Sequence, residues 1–142
     1  MTGESAYPFP PDTQWEELSP FWKAASEGVL KFPRCRDCGR YQWYPQAMCP
    51  NCRGMNMDWT AVTPKGTLYT YTVVRRSFLP GFDDRLPMIV GMVEFEEAHG
   101  VRLVTNVIDC KPEDLEVGAP VEVVFSAIDD GIKLPLVRLS QN

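Results

Sequence analysis

A single histidine stands among the 142 residues, and it lies in Glu96-Glu97-Ala98-His99-Gly100, a stretch that reads as a tight turn. A histidine there is expected to be solvated rather than to act as a general base. The sequence has no G-x-S-x-G, no glycine-rich phosphate loop and no H-E-x-x-H, so nothing in it assembles a nucleophile, a base and an oxyanion hole. No apolar run approaches the roughly 20 residues that span a bilayer, which excludes a helical membrane protein. Residues 1–9 show no basic stretch followed by an apolar core, so no secretory signal is visible and a cytoplasmic chain with reduced thiols is expected. Net positive charge is missing as well. The chain carries −5 with a pI near 4.9, the wrong sign for a generic nucleic-acid binder. No internal repeat and no low-complexity segment is present.

Cysteine is scarce too, at five, but four of the five are arranged as Cys35-x2-Cys38 and Cys49-x2-Cys52 with ten residues between the pairs. Two such knuckles supply four thiolates to the corners of a tetrahedron, the geometry of Zn²⁺ with sulfur at about 2.3 Å. Gly39 follows one knuckle, Pro50 follows Cys49, and Gly54 lies just past Cys52, as tight turns require. Disulfide pairing does not suit a reducing compartment. Iron of the rubredoxin type fits less well, because rubredoxin knuckles read C-P-x-C-G twice and lie further apart. With four protein ligands the ion has no open position, so one structural zinc is expected and no metal catalysis. Cys110 lies outside this set beside Lys111. Its thiol is read as a small residue at a strand end, because no histidine lies near in sequence to activate it. Asp83 and Asp84 are read as solvated loop acids.

Three segments follow: an N-terminal arm over residues 1–28, the metal module over 29–57 and a strand-rich barrel over 58–142. In the arm, Pro8, Pro10 and Pro11 predict extended chain. Residues 12–27 read as helical, from the capping spacing Thr13 to Glu16, from Ser19 as a cap before Pro20, and from Trp15, Leu18, Phe21, Trp22 and Ala25 on one face. Gly28 ends the helix. Two readings of this stripe stand: it packs on the chain's own ribbon or barrel, or it docks into a partner. In the metal module, residues 29–34 and 40–44 read as short strands. Lys31, Arg34, Arg36, Arg40 and Arg53 outweigh Asp37 there by four, leaving −9 on the remainder. That excess is either ordinary exposed charge or a seat for an anion or an acidic surface.

Strands are predicted at 66–76, 88–95, 101–108, 121–128 and 132–139, with Tyr69, Tyr71 and Val73 facing one side and a helical turn near 111–115. The fold class is therefore mainly β: a short helical arm, a rubredoxin-like four-cysteine zinc ribbon, then a five-stranded OB-fold barrel. The long connection 77–87 carries Phe78, Leu79 and Phe82, where a small barrel usually binds things.

The strings SPFWKAASEG, CRDCG, YPQAMCPNC, GTLYTYTVV, GVRLVTNVID and VGAPVEVVF, in that order over nearly the whole chain, resemble the zinc-ribbon plus OB-fold family known as domain of unknown function thirty-five. The resemblance implies a non-catalytic partner of a thiolase-superfamily protein, such as an acyl-CoA thiolase, a hydroxymethylglutaryl-CoA synthase or a lipid-transfer-protein-like aldolase that shortens steroid side chains. Other members of the family are fused or paired with hot-dog-fold hydratases. One departure is Gln46, after Pro45, where the family usually carries an arginine. If that arginine contacts CoA phosphate, this chain lacks a charge there.

The expectation is thus an accessory subunit of an acyl-CoA carbon–carbon bond enzyme. Arg75, Arg76 and Arg85 are its candidates for the CoA phosphates, and Trp15, Phe21, Trp22, Phe78, Leu79 and Phe82 its candidates for the partner interface. The competing class is a nucleic-acid module using Tyr69 and Tyr71 as stacking rings. The acidity of the chain and the lack of interleaved lysines and aromatics on the barrel strands stand against it.

Overall fold

The computed structural model describes residues 10–129 and 131–140, with the side chain of Asp129 left out of the description. The expectations for residues 1–9, including extended chain at Pro8, lie outside the described residues.

The helical arm is shorter than its apolar stripe. Helix α1 covers Ser19–Ser26 only. Thr13 and Glu16 form no capping box. The Asp12 carboxylate instead accepts the Gln14 N–H at 3.0 Å, which closes a turn before the helix. Ser19 does not cap either: Leu18 holds that position without a side-chain bond, and the Ser19 hydroxyl donates to the Glu16 carbonyl. The proline in the first turn costs nothing, because N–H groups there have no helical acceptor. Gly28, at φ 78°, ends the helix by donating to the Ala25 carbonyl.

Strands β1 (Leu30–Cys35) and β2 (Met57–Val62) pair antiparallel, Leu30 opposite Val62 and Cys35 opposite Met57. β2 straddles the expected boundary at residue 58 and belongs to the ribbon's sheet. The strand expected at 40–44 reduces to one bridge, Tyr41 with Arg34. The chain then turns Trp43 inward and leaves Tyr44 exposed.

The barrel strands lie close to where alternation placed them: β3 (Lys65–Val74), β4 (Met88–Glu94), β5 (Arg102–Val107), β6 (Pro120–Asp129) and β7 (Ile132–Leu139). They close in the order β3-β4-β5-β7-β6, with β3 returning to β6, the circuit of an OB-fold. A 3₁₀ turn at Pro112–Asp114 occupies the predicted insertion before β6.

The single-face reading of Tyr69 and Tyr71 is corrected by a bulge between Leu68 and Thr70. The irregularity breaks the period-two alternation. Leu68 is fully buried, Tyr69 points out under the Arg102 guanidinium at 4.0 Å, and Tyr71 packs inward with its hydroxyl donating to the Leu115 carbonyl. The two rings therefore make no shared stacking platform.

One apolar core runs through all three parts. Phe32 of β1, fully buried, lies 5.4 Å from Phe95 at the end of β4, 5.3 Å from Trp43 and 6.3 Å from Phe21 of α1. This places Phe21 in the chain's own core at 4% exposure, not on a partner surface. Trp22 is half-buried against the same cluster. Of the two readings of the helical stripe, packing on the chain's own fold holds for these two residues, because the helix and the two-stranded ribbon sheet each lack a second layer until they pack on one another and on the barrel.

Candidate metal centre and binding surfaces

Each knuckle is a turn whose first cysteine carbonyl is capped from four residues on. The Cys35 carbonyl accepts the Gly39 N–H and the Cys49 carbonyl the Arg53 N–H, both at 2.8 Å. Gly39 and Arg53 hold the corresponding left-handed positions, at φ 81° and 65°. Gly54 has a different reason. A Cβ there would collide with the Asp37 carboxylate and sit 3.2 Å from Cys52 Sγ. Asp37 in turn accepts Asn56 Nδ2 and so ties the two halves of the ribbon together. Gly54→Ala should lower zinc affinity while leaving the barrel folded, as chelator competition would measure.

The four sulfurs lie within 4.8 Å of one another, with Cys35–Cys52 at 3.6 Å and Cys38–Cys49 at 3.7 Å. A tetrahedron of zinc–sulfur bonds has edges of about 3.8 Å, so the sulfurs stand where the ion needs them. Cys35 and Cys49 are buried, whereas Cys38 and Cys52 are exposed. Asn51 Nδ2 donates to Cys38 Sγ and the Gly54 N–H to Cys52 Sγ, each at 3.4 Å, as donors to thiolates do.

Four thiols this close do not ionise together without a cation. Asn51, with the Arg40 backbone, holds Cys38 down to about 6. Cys52, although the Gly54 N–H lowers it, is pushed up to about 12 by the Cys35 thiol, desolvation and the other two sulfurs. A bound divalent cation removes that conflict and keeps every thiol deprotonated. The set holds one structural zinc, with no position open to substrate.

The other candidates are scattered. His99 is exposed in its turn. Burial, then Asp114 and Asp109, push the Cys110 thiol up, away from the reactive thiolate. Asp83 and Asp84 are exposed in a 3₁₀ turn.

Arg75, Arg76 and Arg85 are exposed at one end of the barrel, where β3 finishes and β4 begins. Arg85 borders a cleft of about 480 Å³ there, whose wall includes Ile89, Asn106, Cys110 and Leu134. The loop above presents Phe78 at 86% exposure and Leu79 about half exposed, whereas Phe82 is half-buried. Trp15 is exposed on the arm. Sequence reading missed Tyr44 and Val104, both exposed and apolar. The aromatic run Tyr41-Gln42-Trp43-Tyr44 was the available signal for Tyr44. Val104 carries none, because β-branched residues fill strands on either face.

Among the described residues, no helix is long and apolar enough to cross a membrane.

Residues 22–58 match the family model of the ChsH2 rubredoxin-like zinc ribbon domain, and residues 59–126 that of the ChsH2 C-terminal OB-fold domain. A DUF35 domain-containing scaffold protein of Methanocaldococcus jannaschii is 36% identical over 104 residues, covering 70% of this chain and 72% of that protein. A probable enoyl-CoA hydratase alpha subunit of Thermomonospora curvata is 33% identical over 119 residues, 83% of this chain but only 36% of that longer protein. Among solved structures, a chain of an Ltp2-ChsH2(DUF35) aldolase superposes with a TM-score of 0.80 at 28% identity, covering 91% of this chain and 98% of that one.

Proposed function

Because the chain belongs to the DUF35 family, as a ChsH2-type zinc ribbon joined to an OB-fold barrel, we propose that it is a non-catalytic accessory subunit of an acyl-CoA carbon–carbon bond enzyme of the thiolase superfamily. The observation that carries this reading is the match, over nearly the full length of both chains, to a chain of an Ltp2-ChsH2(DUF35) aldolase. The cleft at the barrel end supports a role in holding substrate. Arg75, Arg76 and Arg85 receive the CoA phosphates through charge-assisted bonds, and steroid or other lipid acyl groups are the substrate class. Phe78, Leu79 and Trp15 are exposed apolar anchors of the kind that carry interface energy. Phe82 contributes from its half-buried place in the same loop. A cytoplasmic setting keeps the four ligand thiols reduced.

A second reading, partnership with a hot-dog-fold acyl-CoA hydratase, is favoured by the hydratase relative. Co-expression with each enzyme class, followed by gel filtration and turnover assays, separates the two.

The expected result is a stable complex with a thiolase-superfamily protein, retro-aldol or thiolytic turnover in the complex, and none from the isolated chain. Trp15→Ala and Phe78→Ala should each weaken the complex without loss of zinc. A central anchor contributes about 2 kcal/mol, roughly thirtyfold in affinity. Turnover by the monomeric chain, or wild-type affinity in both variants, would sink the reading.

A further inference from the structure

An apolar groove opens where the arm, the ribbon and the barrel meet. β5 and β7 share a single ladder pair, Val107 with Val137. Pro135 in β7 has no N–H to give β5, and its carbonyl accepts the Thr105 hydroxyl at 2.6 Å instead. On the Arg102 side of Val107 the seam therefore carries no backbone ladder pair. It forms a hollow of about 250 Å³ lined by Leu18, Tyr44, Val104 and Leu134. A second hollow, of about 440 Å³, shares Leu18 and Tyr44 and runs on past Trp15. Trp15, Tyr44 and Val104 are 55%, 64% and 54% exposed, too open for side chains that serve only the chain's own core.

The charge of this groove selects its occupant. Of the described residues lining the two hollows, only Glu17 is charged, and it lies at the end where Trp15 and Tyr44 stand. Two electron-rich rings beside a carboxylate attract a cation. An apolar trough along a strand edge accepts extended chain. An anionic occupant would meet Glu17 and the −5 of the whole chain.

We infer that this groove docks an extended apolar segment of a partner protein, with one arginine or lysine side chain seated on Trp15 and Tyr44 against Glu17. That the partner is the enzyme subunit rests on the accessory-subunit reading; the preference for a cation does not.

The test uses the full zinc-loaded chain and three labelled, end-blocked peptides, Ser-Leu-Val-Arg-Val-Leu-Ser and its counterparts with glutamine or glutamate at the centre, followed by fluorescence anisotropy. The arginine peptide should bind about fivefold tighter than the glutamine peptide, a cation–ring contact and an exposed ion pair together. The glutamate peptide should bind most weakly. Glu17→Gln should reduce the arginine advantage to the part that the two rings supply while leaving the glutamine peptide unchanged, and Val104→Asp, at an exposed position, should abolish binding of all three with zinc retained. Three results overturn the inference: no binding by any peptide, equal binding by all three, or an arginine preference that Glu17→Gln leaves at full size. A free chain that sediments as a dimer and becomes monomeric on Val104→Asp overturns it as well, by assigning the groove to a second copy. If the peptide preference holds but no enzyme complex forms, the accessory-subunit reading fails and the groove assignment stands.

Discussion

Cys49→Ser should strip the zinc from this chain and unfold its ribbon. Elemental analysis of the wild type is expected to give close to one zinc per chain, and that of the variant almost none. Cys49 is buried and its sulfur lies 3.7 Å from Cys38 Sγ, so a serine oxygen there neither reaches nor softens to the ion as thiolate does. The ribbon has little else. Its sheet has two strands, and its buried apolar side chains belong to the core it shares with the helix and the barrel. Structural zinc contributes about 10–16 kcal/mol in comparable small modules, more than so small a core can replace. Amide exchange should therefore become fast in β1 and β2 while the barrel strands stay protected. Cys110→Ser should keep the full zinc content. Visible absorbance from bound iron, or a Cys49→Ser protein with its metal and ribbon intact, would overturn the assignment.

Phe32→Ala is the second large effect expected. The ring is fully buried and touches aromatic rings from three directions, Phe21 from α1, Trp43 from the ribbon and Phe95 from the barrel. Truncation removes that burial and leaves a cavity which three separate elements cannot collapse to fill. Such substitutions cost about 3–5 kcal/mol, a large share of the stability of a domain this size. Thermal melting should fall by roughly 10 °C or more. Because the cavity lies at the joint, the ribbon and barrel should also lose their common transition and melt in two steps. A single transition within a degree or two of the wild type would show that Phe32 does not couple them.

Much of this molecule is legible in the order of its residues. The four cysteines announce themselves because metal coordination demands fixed residue types at short spacing, and turns of four residues close locally. The barrel strands are visible for a similar reason: alternation is a local property, and 132–139 reads as a strand with the ends that β7 has. Errors cluster where a partner distant in sequence decides. The stretch 40–44 has strand-like residues, yet β1 takes β2 as its neighbour, and only Tyr41 bridges. Tyr69 and Tyr71 alternate correctly, yet the bulge needed to bend β3 from β6 to β4 turns them to different faces.

Spacing and period settled the zinc set and the strand count of the barrel. Those depend on contacts within a few residues or on a repeat that the chain displays wherever it lies. Which aromatics face solvent was decided only by the assembled fold. Phe21 and Trp22 look, along the chain, as available as Trp15 and Phe78. Phe21 is covered and Trp22 half-covered because β1, Trp43 and the barrel happen to meet them, while Trp15, Tyr44 and Phe78 find no such cover. Burial is a property of three-dimensional proximity. No local pattern carries it when the covering residues come from strands that are far away in sequence.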